Sequence, residues 1–280
     1  MRIDLHSHSS ASDGTQPPAD VVRRARERGL DVLALTDHDT VAGHAAAIAA
    51  LPAGLTLVPG MELSCRRAGQ SIHLLAYLFE PAEPELRAEC ARLREARETR
   101  GRLTVRRLAE LGVPVTWEQV AELAGGGPVG RPHIARAMVA AGAIAEPAQA
   151  FTEEWIGTGG RAHVTRYALD PGRAVRLVRA AGGVPVLAHP KSAGRGPVVP
   201  DEWIAELAAA GLFGVEADHL DHDPAARAGL RGLADELGLA VTGSSDDHGE
   251  LTGHRLGCET TAPEVYERLL AEATGAAPVG

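Results

Sequence analysis

Seven short apolar runs of β type recur along this chain, and most are separated by stretches with helical patterning. The runs fall at residues 2–5, 31–35, 55–58, 72–78, 184–188, 213–217 and 240–242. Helical patterning occupies 18–28, 41–50, 171–181, 201–210 and 224–237. Strands alternating with helices predict a parallel sheet, since a crossover of that length returns the chain to run in the same direction. Seven strands in this order predict an α/β protein, a distorted (β/α)7 TIM-like barrel. Residues 83–161 break the alternation, with helices expected at 85–111, 117–123, 132–141 and 146–155. They predict a helical insert between strands 4 and 5, leaving a discontinuous barrel at 1–82 and 162–272. The tail 273–280, rich in Ala, Gly and Pro, is expected to fray.

Imidazoles and carboxylates sit at the ends of these runs. His6 and His8 follow the first, and i, i+2 spacing in an extended segment points both side chains the same way. Asp37 and His38 follow the second, Glu62 the third, and His189 the fifth. Glu216 ends the sixth, and Asp246 and His248 follow the seventh. His73 is the exception, lying near the start of the fourth run. In a parallel barrel the strand ends converge on one face, where active sites are built. A lone histidine is ordinarily a satisfied structural residue, and a lone Asp13 in Ser-Ala-Ser-Asp-Gly would be a turn residue. That explanation would have to be invoked separately at each strand end. Nitrogen and oxygen donors without thiolates suit Mn²⁺, Fe²⁺ or Zn²⁺. The donors outnumber what one ion can use, so two or three ions and a bridging carboxylate are expected. Asp37, Asp39, Asp247 and Glu216 are expected to orient ligands rather than bind.

The balance of 28 basic and 37 acidic residues gives a formal charge of −9. There is no basic run of the kind that coats nucleic acid, so any nucleic acid must be gripped locally. Bound divalent ions would reverse the local field and let an acidic chain hold an anion. The three cysteines form no CxxC pair, which predicts a reducing, cytoplasmic setting. Neither a signal-peptide pattern nor an apolar run of membrane-spanning length is read, and no obligate protein partner is inferred.

The ordered motifs resemble the PHP family, named for polymerase and histidinol phosphatase domains. They are Asp4-Leu5-His6-Ser7-His8, Ser12-Asp13-Gly14, Thr36-Asp37-His38-Asp39, Gly60-Met61-Glu62, the His73 run, Ala188-His189-Pro190, Gly214-Val215-Glu216 and Ser245-Asp246-Asp247-His248. The resemblance implies a trinuclear metal site with Mn²⁺ favoured. His6, His8, Glu62 and Asp246 would hold the first ion. Glu62, His73 and His189 would hold the second, and Asp13, His38 and His248 the third. The insert, with Gly130-Arg131-Pro132-His133-Ile134-Ala135, looks like the branch that hydrolyses nucleoside 3′,5′-bisphosphates and trims RNA from its 5′ end. Departures at Asp218 and at Lys191-Ser192-Ala193-Gly194 bear on substrate detail, not on metal binding.

The expected chemistry is attack on a phosphate ester by a metal-bridging water ionised to hydroxide, with no Ser or Cys nucleophile. Arg131 and His133, aided by Lys191 or Arg195, are candidates for a second anion site, since guanidinium matches two phosphate oxygens. His222 is a candidate general acid. The glycine run 125–127 reads as a hinge before it reads as a phosphate cradle. The expected partners are a small nucleotide bisphosphate and short RNA 5′ ends. A histidinol-phosphate phosphatase is the alternative enzyme. A noncatalytic module supporting a polymerase is the alternative of another class, which usually goes with eroded ligand positions.

Overall fold

A computed structural model describes residues 1–280 apart from Gly126, Pro128 and Gly196, and apart from the Arg195 side chain. The seven strands are β1 (Ile3–Asp4), β2 (Val32–Leu35), β3 (Thr56–Arg67), β4 (Gln70–Tyr77), β5 (Val184–Leu187), β6 (Gly214–Asp218) and β7 (Ala240–Gly243). They form one sheet in sequence order. A parallel bridge between Ser7 and Asp247 links the segments after β1 and β7, so the sheet is nearly closed into a barrel. Every other side chain along the strands faces inward. Ile3, Leu5, Val32, Ala34, Val58, Leu75, Tyr77, Val184, Val186, Phe213 and Ala240 make one buried cluster.

The expectation of an all-parallel sheet needs correction. Strand β4 runs antiparallel to both β3 and β5. Strand β3 continues well past residue 58 and turns back at Ala68-Gly69 into β4, with both turn residues at positive φ. A two-residue turn can join only antiparallel strands. The reversal also accounts for His73. Because β4 runs backwards, its start lies at the face where the parallel strands end.

Outside the barrel lie α1 (Pro18–Glu27), α2 (His44–Ala49), α6 (Pro171–Ala180), α7 (Asp201–Ala209), α8 (Pro224–Leu237) and α9 (Pro263–Glu272). Asp170 caps α6 through the Arg173 N–H, and Asp223 caps α8 through the Ala226 N–H. Between β4 and β5 come α3 (Pro84–Glu110), α4 (Trp117–Leu123) and α5 (Arg131–Ala140). The expected helix over 146–155 is only a 3₁₀ turn, Pro147–Phe151. These elements share a hydrophobic cluster that includes Leu108, Val120, Ile134, Met138 and Ile156.

The tail does not fray. The Gly275 N–H donates to the Gly182 carbonyl, the Ala276 N–H to the Leu78 carbonyl, and Val279 pairs with Leu57. A Cβ on Gly275 would lie 2.6 Å from the Leu78 carbonyl oxygen, so its composition serves close docking.

Candidate metal centre

Nine donor side chains named from the sequence meet at the C-terminal face of the parallel strands. Glu62 lies at their middle. Its Oε1 is 2.8 Å from His73 Nδ1 and 3.2 Å from His189 Nε2. Its Oε2 is 3.4, 3.2 and 3.1 Å from His6 Nε2, His8 Nε2 and His38 Nδ1. Asp246 Oδ1 lies 3.3 and 3.2 Å from His6 Nε2 and His8 Nε2. Asp13 faces His38 at 3.6 Å and His248 at 3.5 Å.

Three sets of these atoms could each surround a cation. They are His6, His8, Glu62 and Asp246; His8, Asp13, His38 and His248; and His38, Glu62 and His73. Within each set the ligand atoms lie within 4.8 Å of one another. The grouping differs from the expected division in that His8 also reaches the Asp13 set and His38 also reaches Glu62. His189 touches Glu62 from the side of His73.

The donors fit metal ions on two further observations. The buried His38 and His73 Nδ1 atoms have no hydrogen-bond partner, although Glu62 oxygens lie 3.1 and 2.8 Å away. Lone pairs that converge without hydrogen-bond geometry are what ligands of a shared cation present. The protons that the site binds tell the same story. Burial alone would lower the His6 pKa, but Asp246, Glu216 and Glu62 raise it well above its ordinary value. Burial likewise opposes the charged His8, yet Asp246 and Glu62 carry it up to about 10. Burial would raise the Glu62 pKa, but His73, His38 and His6 hold it well below the carboxylate range. His38 goes the other way, burial pushing it down to about 3 against Glu62 and Asp13, so protons meet the carboxylates' demand for positive charge only in part.

Outer groups fix the ligands. Glu216 Oε1 lies 3.1 Å from His6 Nδ1, and its Oε2 accepts the His189 N–H at 2.9 Å. Asp37 holds the loop before Asp13, accepting the Ser9 N–H at 2.8 Å and the Ser12 hydroxyl at 2.6 Å. Asp247 accepts the Arg255 N–H at 2.6 Å. Gly14 is needed in that first loop, since a Cβ there would lie 2.7 Å from the His8 carbonyl oxygen. Asp39, His189 and Asp246 have φ of 57°, 29° and 49°, a strained region for side chains other than glycine.

A second wall is basic. Arg97 on α3 is buried against Asp39 at 2.9 Å. Burial and the neighbouring Arg166, Arg97 and Arg131 depress the Arg100 pKa, with Asp39 opposing. The Arg100 Nε is buried without a hydrogen-bond partner, and no carboxylate pairs with Arg100 at salt-bridge distance among the described residues. Arg166 is brought down to about 10 by burial and Arg97, against Asp39, with Arg131 and Arg66 adding to the fall. Arg131, at the start of α5, is depressed by burial, Arg97 and Arg66. A cavity of about 280 Å³ is lined by Arg92, Arg100, Arg166 and Tyr167 among others.

One expected substrate contact, Lys191, and the expected general acid, His222, are corrected. Lys191 is turned away, with Nζ 2.5 Å from the Val199 carbonyl and 2.6 Å from Asp201. The His222 ring proton is already engaged. Its Nε2 accepts the Lys191 N–H at 3.1 Å, so its proton sits on Nδ1, which donates to the Ala217 carbonyl at 2.9 Å. Burial lowers the pKa of this imidazole, against its backbone hydrogen bonds. His133 is buried with Nδ1 accepting the Gly130 N–H, leaving the proton on Nε2. The Arg195 side chain and part of the glycine run lie outside the described residues.

A PHP domain model matches residues 4–98. A 3′,5′-nucleoside bisphosphate phosphatase from Chromobacterium violaceum is 32% identical over 262 residues, 90% of this chain and 89% of the relative. The chain belongs to the PHP family. A 5′-3′ exoribonuclease from Haemophilus influenzae is 37% identical over 190 residues, 68% of this chain and 69% of the relative. A phosphoribosyl 1,2-cyclic phosphate 1,2-diphosphodiesterase from Eggerthella lenta is 33% identical over 89% of this chain and 95% of its own length. Among solved structures, one named as a metal-dependent phosphoesterase from Bifidobacterium adolescentis superposes with a TM-score of 0.88 at 32% identity, covering 97% of this chain and 96% of that one. Fold and family therefore agree on a PHP phosphoesterase.

Sequence reading missed Arg97, Arg100, Arg166 and His219. The arginines stand on helical and coil segments with no motif to mark them. The one signal was the density of arginine in Arg94–Arg102 of α3.

Proposed function

We propose that this PHP phosphoesterase removes a phosphate from nucleoside 3′,5′-bisphosphates and acts on short 5′-phosphorylated RNA. The observation that carries the substrate class is the arginine wall beside the donor cluster. Half-buried guanidiniums that depress one another call for an anion. The cluster engages the phosphate under attack, so the wall suits a second phosphate on the same molecule.

His6, His8, Glu62 and Asp246 would hold one divalent ion in this reading, and Asp13, His38 and His248 another. Glu62, with His73 and His189, would also hold a third. Mn²⁺ is favoured; Fe²⁺ and Zn²⁺ suit the same donors. Such ions, when bound, supply an ionised water at neutral pH and neutralise phosphoryl oxygens. The protein residues orient the ester. Arg131 and Arg166 clamp the second phosphate and hold the first in line, with His133 Nε2–H as a further donor. The basic wall and the site's cations offset the net acidity of the chain toward an anionic substrate. No helix among the described residues is long and apolar enough to cross a membrane. We place the enzyme in the cytoplasm.

The test is phosphate release by the Mn²⁺-loaded protein from adenosine 3′,5′-bisphosphate, both adenosine monophosphates, histidinol phosphate, a ribosyl cyclic phosphate and a 5′-phosphorylated RNA oligonucleotide. Highest kcat/KM on the bisphosphate or the RNA supports the proposal. Preference for histidinol phosphate or the cyclic phosphate overturns the substrate class, and no turnover of any overturns the activity.

A further inference from the structure

His219 follows β6 directly and is fully buried, its ring 5.3 Å from that of His189. Its Nδ1 lies 3.0 Å from the Asp221 backbone nitrogen. A backbone N–H can only donate, so Nδ1 accepts and the ring proton sits on Nε2. That Nε2 faces Asp246 Oδ2 at 3.4 Å, the long end of the hydrogen-bond range. Arg255 Nη2 approaches the same oxygen at 3.5 Å and donates to the Asp246 carbonyl at 3.0 Å. Arg227 in turn fixes the backbone of His219, donating to its carbonyl at 2.8 Å while paired with Glu259 at 2.7 Å.

The two oxygens of Asp246 therefore face different surroundings. Among the described residues Oδ2 faces His219 and Arg255, while Oδ1 faces His6, His8 and His248 inside the cluster. We propose that His219 is a positioning residue that holds Asp246 with only Oδ1 turned toward the metal centre. The inference rests on the metal-centre reading given under the proposed function. His219 is not itself a ligand, because its one lone pair is engaged by Asp221 and its other nitrogen carries the proton. Held this way, Asp246 would offer a bound ion one oxygen rather than two. Its backbone sits at a φ of 49°, so the side-chain contacts also help to hold a strained residue in place.

The test compares His219→Gln with His219→Asn. The Gln amide can reach the place of Nε2 and donate to Asp246, and the shorter Asn amide cannot. Mn²⁺ affinity and stoichiometry are measured by calorimetry on the metal-free proteins, with Tm recorded in the same state. Loss of outer-shell donors of this kind weakens metal binding by about 10–100-fold. The expected result is a loss of that size in the Asn variant, near-wild-type affinity in the Gln variant, and similar metal-free Tm for the two. Equal Mn²⁺ affinity in wild type and the Asn variant would overturn the role of His219 while leaving the metal centre standing. Equal damage in both variants would also overturn it, assigning His219 to packing. Failure of the wild-type protein to bind Mn²⁺ would overturn the metal-centre reading itself.

Discussion

The two walls of the site are built by different means. The donor wall hangs on strand ends and the short loops that follow them, with Glu62 and His73 set by β-sheet register, and its acids and imidazoles interlock around Glu62. The arginine wall is assembled from α3, the start of α5 and the segment at Arg166. Its guanidiniums repel one another, and Asp39 is the carboxylate paired with Arg97. Under the proposed function one wall takes cations and the other an anion. The separation suggests that chemistry and substrate choice can be altered independently.

The most damaging change is at the shared carboxylate. Glu62→Gln removes charge from the atoms that face five imidazoles. It should lower Mn²⁺ occupancy and reduce kcat/KM on the order of 10³-fold, since metal charge stabilisation is worth several kcal/mol. Metal analysis and steady-state kinetics on one preparation check this; an active, metal-replete Gln variant would break the account of the donor wall.

Arg166→Met should cost less and differently. Losing a charged hydrogen bond is worth about 1.5–3 kcal/mol, so kcat/KM on the bisphosphate should fall about 10–100-fold. Turnover of a monophosphate should change little. Arg100→Met sharpens the contrast through stability. An unpaired guanidinium replaced by an apolar chain of similar length is neutral or stabilising. The substrate-free Tm should hold or rise by about 2 °C while bisphosphate turnover falls. A clear drop in Tm would make Arg100 a structural residue.

Chelation probes the donor wall without mutation. An ion present at 100 times its Kd stabilises the fold by about 2.7 kcal/mol, so EDTA should lower Tm by several degrees and restored Mn²⁺ should recover it. An unchanged Tm would argue against a bound ion. The smallest effect is expected at Lys191→Ala. Its ammonium is committed to Asp201 and Val199, so kcat/KM on the bisphosphate should stay within about threefold of wild type, as for surface changes.

Register explains what the sequence made legible. His6 and His8 announce themselves because a strand end fixes where neighbouring residues point. Glu216 was read as an orienting group on the same logic, and it holds His6 and the His189 amide. The reversal of β4 was hidden because Ala68-Gly69 is a weak hairpin signal. Arg100 and Arg166 were hidden because nothing local says which helix face or coil turn meets the barrel. His222 and Lys191 misled for a related reason. Both carry the right chemistry and lie near the site, but each is engaged by the other's segment or by Asp201.

The division between the walls is tested most directly by the ratio of kcat/KM on adenosine 3′,5′-bisphosphate to that on each adenosine monophosphate, in wild type and in Arg166→Met. The account predicts a strong wild-type preference for the bisphosphate that shrinks at least tenfold in the variant, with Mn²⁺ content unchanged. A wild-type ratio near one, or a ratio untouched by the substitution, would contradict it.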